Sequence, residues 1–396
     1  MANSILTSDV IADRMLAKMS EEVTFLDKIN TQYDPYFQRK GAKVGDSVRV
    51  KVPQRATIRR GRIANLDPIA DRIVNVSLDE QIGVDTGATS AELALDIDDF
   101  DRDYITPKAP DLVAAIEAAV LSNVMGQVPE TVGDYGLLDD MGTILQAGER
   151  LDNNLAPKRD RIMLLNARAQ TQAVSGFSTL FNDQNKLGQQ YRKGRMGTDT
   201  LGFDWYQTTL MPTLTRGTAN ANYVTNGVAQ TGSTLAVDGG TGTIRQGDTF
   251  TIAGVFAVHP QTKENLGYLR EFTVTSNYAG GNGNLSITPE IIASGSEQNV
   301  SNAAADGQAI VVKGTSGTTY GQNLAFSKDA FYFVTADLPV PEKMVAATRV
   351  WNGINIRFVM GYDITNDMFV SRFDVIYGGG ILRPEQAVRI PNAFSA

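Results

Sequence analysis

One stretch, residues 110–128 (PDLVAAIEAAVLSNVMGQV), constrains this chain more than any other. Leu112, Ile116, Val120 and Val124 recur every four residues, and Val113, Leu121, Met125 and Val128 widen the stripe. Ala114, Ala115, Ala118 and Ala119 fill the gaps with strong helix formers, and Glu117 is the only charge between Leu112 and Val128. Pro110 suits a first turn, and Gly126 followed by Pro129 stops the helix. At 1.5 Å per residue the element is about 27 Å long. A helix this apolar needs cover on most sides, from a sheet or a neighbouring subunit. Ser122, Asn123 and Gln127 interrupt it too often for a membrane span.

The 396 residues allow two or three domains. There are no cysteines, which excludes disulfides, thiol catalysis and thiolate metal sites together. A net charge of −8 disfavours a general nucleic-acid binder, although local basic patches are compatible with it. The opening MANSILTSDVIADR lacks the basic and apolar regions of a signal peptide, so cytoplasmic synthesis is expected.

Residues 7–30 carry a second helical stripe: Val10, Ile11, Met15, Leu16, Met19, Val23, Leu26 and Ile29. Such a terminal helix needs a surface to dock on, either its own body or a neighbour. An aromatic linker, Tyr33-Asp-Pro-Tyr36-Phe37, comes next. Residues 44–53 then alternate as a strand, with 72–84 as the expected partner. Between them lie Arg55, Arg59, Arg60 and Arg62. A two-stranded arm with a basic tip buries little by itself, so it is built to lie on something else. An acidic protein surface, nucleic acid and solvent are the three readings of that tip.

Residues 141–154 form a further amphipathic pattern, 161–166 read as a buried strand, and Asn166 caps a short helix beginning at Ala167. Arg192, Lys193 and Arg195 make a second positive patch in a polar loop over 183–199, a subunit contact or a solvated segment. From 217 to about 321 glycine, threonine, serine and asparagine dominate, and short strands are expected at 248–254, 270–276, 284–289 and 309–314. That spacing indicates a small antiparallel β-barrel or sandwich inserted into a host domain. Strands return at 354–360 and 369–377, around a turn at 365–367.

The residues that carry reaction chemistry elsewhere have no partners here. Five aspartates in 93–104 fit no calcium-loop register. The one histidine, His259, sits beside a proline between strands with no catalytic or metal partners nearby. GGTGT at 239–243 lacks the end of a phosphate loop, and GGNGN at 280–284 reads as a hairpin turn. No enzyme, cofactor or metal is expected.

Taken in order, these segments resemble the major capsid proteins of tailed bacteriophages with the Hong-Kong-97 capsid fold. The closer resemblance is to coat proteins of the short-tailed Salmonella phage type (P-twenty-two-like), which carry an extra β domain. The matching stretches are RQGDTFTIAGV (245–255), EFTVTS (271–276), ITPEII (287–292), NLAFSKDAFYFVTADLPVP (323–341) and RPEQAVRIP near the end. The resemblance implies an α+β fold with an N-terminal arm at 1–40, an extended hairpin loop at 43–90 and a peripheral domain with the spine helix at 91–136 and 361–396. It further implies an apical domain at 137–222 and 320–360, and an inserted β-barrel at 223–319. Such subunits form hexamers and pentamers on a scaffolding protein around a portal, and the shell encloses double-stranded DNA without reading its sequence. The arm and the arginine-tipped loop are then expected to settle against sister chains, with Arg55, Arg59, Arg60, Arg62, Arg192, Lys193 and Arg195 as contact candidates. The expected place is the virion, after assembly in the bacterial cytoplasm, with no membrane involved. One departure stands out: the hairpin expected at 233–243 is too short for the twofold-spanning loop of the family type. An encapsulin-like compartment shell and a tail or decoration protein are the alternatives.

Overall fold

The computed structural model describes residues 8–34, 47–52, 62, 72–78, 80–89, 107–177, 197, 199–339, 344–351, 353–366 and 368–394. They divide into two compact units. The expected acidic turn at 93–104 lies outside the described residues.

The first unit comprises Met1–Lys51, Ile73–Val120 and Phe331–Gly380. Its sheet runs in the order β1 (Asn30–Asp34), β17 (Phe331–Ala336), β20 (Met368–Ile381), β19 (Ile354–Asp363), β18 (Val345–Trp351), and β4 (Glu80–Thr89) also pairs with β20. The expected antiparallel pair is present as β19 and β20, with Phe358 opposite Phe373 and their ring centroids 4.9 Å apart. Ile354, Ile356, Phe358, Phe373, Val375 and Tyr377 are all buried, as strict alternation on one face requires. On the other face Arg357 donates to Asp374 at 2.5 Å and Arg372 donates twice to Asp85, at 2.7 and 2.9 Å. Gly83 makes room for that ladder, because a Cβ there would lie 2.5 Å from Asp374 Oδ1.

Helix α1 (Ser8–Glu22) packs against β18 and β19 of its own chain. It buries Ile11, Ala12, Met15, Leu16 and Met19, and Arg349 Nε donates to Asp13 Oδ1 at 2.8 Å. Phe25, Leu26 and Ile29 are buried behind it, and β1 then runs parallel to β17. This corrects the expectation that the arm gains order only against a sister chain. The helical stripe finds a complementary apolar sheet face on its own chain.

The expected strand at 72–84 is two elements. β2 (Ser47–Val52) pairs with β3 (Arg72–Ser77), as anticipated, whereas β4 turns away into the β20 ladder. Leu78, between them, is fully buried. The base of the extended loop is therefore part of a sheet.

The long helix forms as α2 (Lys108–Met125). The second unit comprises Val52–Arg72, Leu121–Ala330 and Ile381–Ala396. Its five-stranded sheet has the order β5 (Glu130–Thr131), β21 (Ala387–Arg389), β16 (Leu324–Ser327), β6 (Arg161–Leu165), β7 (Asp204–Gln207). Helices α3 (Met141–Asn153) and α4 (Ala167–Phe177) share a core with it through Ile144, Ala147, Leu151, Ala169, Ala173, Met163 and Leu165. The expected cap is in place: Asn166 Oδ1 accepts the Ala169 amide at 2.7 Å.

Strands β8 (Thr213–Thr215) and β15 (Thr319–Gly321) pair as a stem. Beyond them β14 (Ile310–Val312), β11 (Thr249–Val258), β12 (Asn265–Val274), β13 (Gly283–Ile291), β10 (Gly232–Asp238) and β9 (Val224–Thr225) form one sheet. A bridge between Val224 and Ala309 closes it into a barrel around Phe250, Ile252, Phe272, Val274, Leu285, Ile287 and Ile310. All four strands expected from alternation overlap these elements, and only 284–289 lies wholly inside one. The hairpin expected at 233–243 is corrected: β10 is a barrel strand between β13 and β9, and after it the Thr241 and Thr243 carbonyls accept the Asn220 and Ala219 amides.

The expected apical segment 320–360 is shared out between the units. β16 and β17 are consecutive, separated only by a 3-10 turn (Lys328–Ala330), yet they join different sheets. β20 and β21 part in the same way. Sequence adjacency hides such a division.

Candidate functional site

Of the seven basic contact candidates, Arg62 alone is among the described residues, where it sits exposed in a bend. Arg55, Arg59, Arg60, Arg192, Lys193 and Arg195 lie outside them.

The described polar groups concentrate where the barrel meets the five-stranded sheet, within the second unit. Arg270 on β12 donates to Glu130 on β5 at 2.8 Å, and both side chains are buried. The next residue, Glu271, accepts the Thr131 amide at 2.6 Å, the Thr131 hydroxyl at 2.8 Å and Lys313 Nζ at 2.5 Å. Thr273 donates to the Val128 carbonyl at 3.0 Å. Arg389 on β21 is buried against Thr249 and Thr273 and donates to both hydroxyls. Burial holds its guanidinium below the ordinary arginine range, against the charges of Tyr135, Asp248 and Glu271. The Arg150 guanidinium lies 3.4 Å from the centroid of the Tyr268 ring. Each apolar cluster is thus complete on its own side, and the seam joining them is ionic. Sequence reasoning missed this seam. Its signal was the adjacent Arg270 and Glu271 inside a strand, two opposite charges on opposite faces that both require buried partners.

The first unit holds a second polar centre. Glu117, 1% exposed on α2, accepts three consecutive backbone amides on Oε1: Thr24 at 2.9 Å, Phe25 at 2.7 Å and Leu26 at 3.1 Å. Burial raises its carboxyl above the usual range, and the three amides pull the other way.

The motifs that suggested no chemistry in the sequence have plain structural roles. His259 Nδ1 accepts the Gln261 and Thr262 amides in the turn between β11 and β12. The 239–243 glycines let backbone cross the Tyr223 ring, since a Cβ on Gly240 would lie 2.2 Å from it. Among the described residues no group of three or more histidines and carboxylates is placed to hold a metal ion, and no described helix is long and apolar enough to cross a membrane.

A family model described as "P22 coat protein - gene protein 5" matches residues 1–391. The chain belongs to the P22 coat protein family. This coat protein is a phage major capsid protein, a component of the head shell that assembles from copies of itself, and its place is the virion. Its architecture is of the expected α+β class. No curated protein matches the chain. Among solved structures, the coat protein is similar to a chain from Mycobacterium phage Che8, at 14% identity and TM-score 0.46, covering 93% of this chain and 90% of that one. The capsid of cyanophage P-SCSP1u is similar at 12% identity and TM-score 0.47, covering 94% and 88%. The CUS-3 coat protein I-domain is 24% identical with TM-score 0.19, covering 24% of this chain and 96% of that one.

Proposed function

We propose that the coat protein packs as hexamers and pentamers into a closed icosahedral shell around double-stranded DNA, with no catalytic step. The family match over nearly the whole chain carries this reading and favours a phage head over a compartment shell, tail or decoration protein. Assembly is proposed to begin at a portal on a separate scaffolding protein in the bacterial cytoplasm. The net charge of −8 suits a lining that does not grip the genome during packaging.

The layout proposed is an arm over 1–40, an extended loop over 43–90, and a peripheral domain over 91–136 and 361–396. An apical domain over 137–222 and 320–360 and an inserted barrel over 223–319 complete it. The closed barrel on its paired β8–β15 stem supports the last of these. Arg55, Arg59, Arg60, Arg62, Arg192, Lys193 and Arg195 are proposed to bind acidic surfaces of sister chains. Weak contacts of this kind stabilise a shell through their number. Nuclease treatment of particles purified from producing cells tests the reading: DNA protected inside shells of this one chain supports it, and particles holding an enzyme cargo instead of DNA refute it.

A further inference from the structure

We infer that Glu117 is a positioning residue for assembly, fixing the direction in which α1 leaves the body of the first unit. The inference rests on the head-shell reading. Three successive amides converge on one carboxylate oxygen only when the backbone at 24–26 is curled into a concave nest, and Phe25 duly has φ −79° and ψ −47°. The nest falls where the arm changes direction, between the end of α1 at Glu22 and the start of β1 at Asn30.

On the C-terminal side of the nest the chain is independently held. Phe25 and Leu26 are buried, the Phe25 ring lies 5.8 Å from that of Phe331, and β1 is hydrogen-bonded to β17. On its N-terminal side α1 lies on the face of β18 and β19, holding Ile11, Ala12, Met15, Leu16 and Met19 buried there and adding the half-exposed and therefore weak Asp13–Arg349 pair. Removing the carboxylate oxygen leaves β1 seated but orphans three amides, and the backbone must turn elsewhere to satisfy them. The turn joining α1 to β1 then shifts, and with it the seating of α1 on its sheet face. Glu117 is also the single charge in the largely apolar stretch 112–128, a place where a carboxylate is costly unless it has such partners.

The test compares full-length wild type, Glu117→Gln and Glu117→Leu. Glutamine keeps the length and one acceptor oxygen; leucine keeps the volume and removes the acceptor. If Glu117 only filled space, leucine would serve as well as glutamine. Positioning predicts that the amides of Thr24, Phe25 and Leu26 exchange with deuterium about tenfold faster or more in the leucine variant, with glutamine much closer to wild type. Particles made in parallel are expected to include several-fold more open or misshapen shells for leucine than for glutamine. Wild-type exchange and uniform closed shells from Glu117→Leu would overturn the inference. Should that variant not fold, fast exchange of these three amides in wild type overturns it equally. Absence of shells from wild type itself counts against the head-shell reading, and the exchange measurement still decides the role of Glu117.

Discussion

Arg270 and Glu130 form an ion pair at 2.8 Å with both side chains buried, and each keeps one polar atom, Arg270 Nε and Glu130 Oε2, without a protein partner. The pair is therefore incompletely satisfied. It gives the junction between barrel and host sheet a specific register, at a desolvation cost that its Coulomb attraction offsets only in part.

Replacing Arg270 by alanine strands the Glu130 carboxylate and is expected to destabilise the second unit by about 3–5 kcal/mol. The double variant Glu130→Leu/Arg270→Met removes both charges and is expected to lose far less, or to gain. Urea unfolding of the subunit, completed as a double-mutant cycle, measures the coupling.

Gly240→Ala places a methyl group into the Tyr223 ring, 2.2 Å away, at the point where the chain crosses the barrel end. A loss of about 1–3 kcal/mol is expected, read as a lowered melting temperature, because backbone on one side and a buried ring on the other both resist movement. An alanine at Gly281, where nothing lies within 4 Å, meets only the strain of its positive φ of 85°.

Asn166→Ala removes the Oδ1 cap of α4 at Ala169 and the Nδ2 contact to Asn392 Oδ1 at 2.8 Å. The cap alone is worth about 1 kcal/mol, and the lost bond adds less, because Asn392 Oδ1 keeps Asn323 Nδ2 as a donor at 3.1 Å. Asn166→Asp, which retains the cap acceptor but not the donor, is expected to fall between alanine and wild type in the same thermal melt.

Glu117 gives a pH dependence with a definite sign. Its carboxyl is raised in the folded chain by burial, so the folded state binds its proton more readily than the unfolded state. This group's contribution to stability therefore falls as pH rises from the ordinary glutamate value through the raised folded value, and is flat above that window. Melting temperatures of wild type minus Glu117→Gln should follow this slope; a difference rising with pH there would contradict it.

Arg59→Glu with Arg60→Glu is expected to leave the subunit folded while stopping closed particles from forming. Circular dichroism checks the first statement and electron micrographs the second.

Much of this fold is written in periodicity. The fourfold stripe around Ile116 produced α2, the alternation around Phe250, Phe272 and Ile287 produced barrel strands, and Asn166 announced α4. Failures came where tertiary partners decide. Nothing near Met15 states that its sheet face lies on its own chain, and nothing near Leu78 states that one run of alternation serves two sheets. Of the candidate sites, the arginines were visible as a cluster of like charge, but their partners were not. Glu117 was visible as a lone charge, while the amides that justify it lie over ninety residues away in sequence. The buried polar seam shows in the sequence only as the adjacent charges Arg270 and Glu271, and its partners do not, because burial is a property of the packed chain.

Imaging frozen particles built from the full-length chain bears most directly on the whole picture. The expectation is a closed icosahedral wall with one copy of this polypeptide as its only repeating unit in five- and six-membered rings. A population of monomers, open tubes or tail-like stacks under conditions where the chain is folded would contradict it.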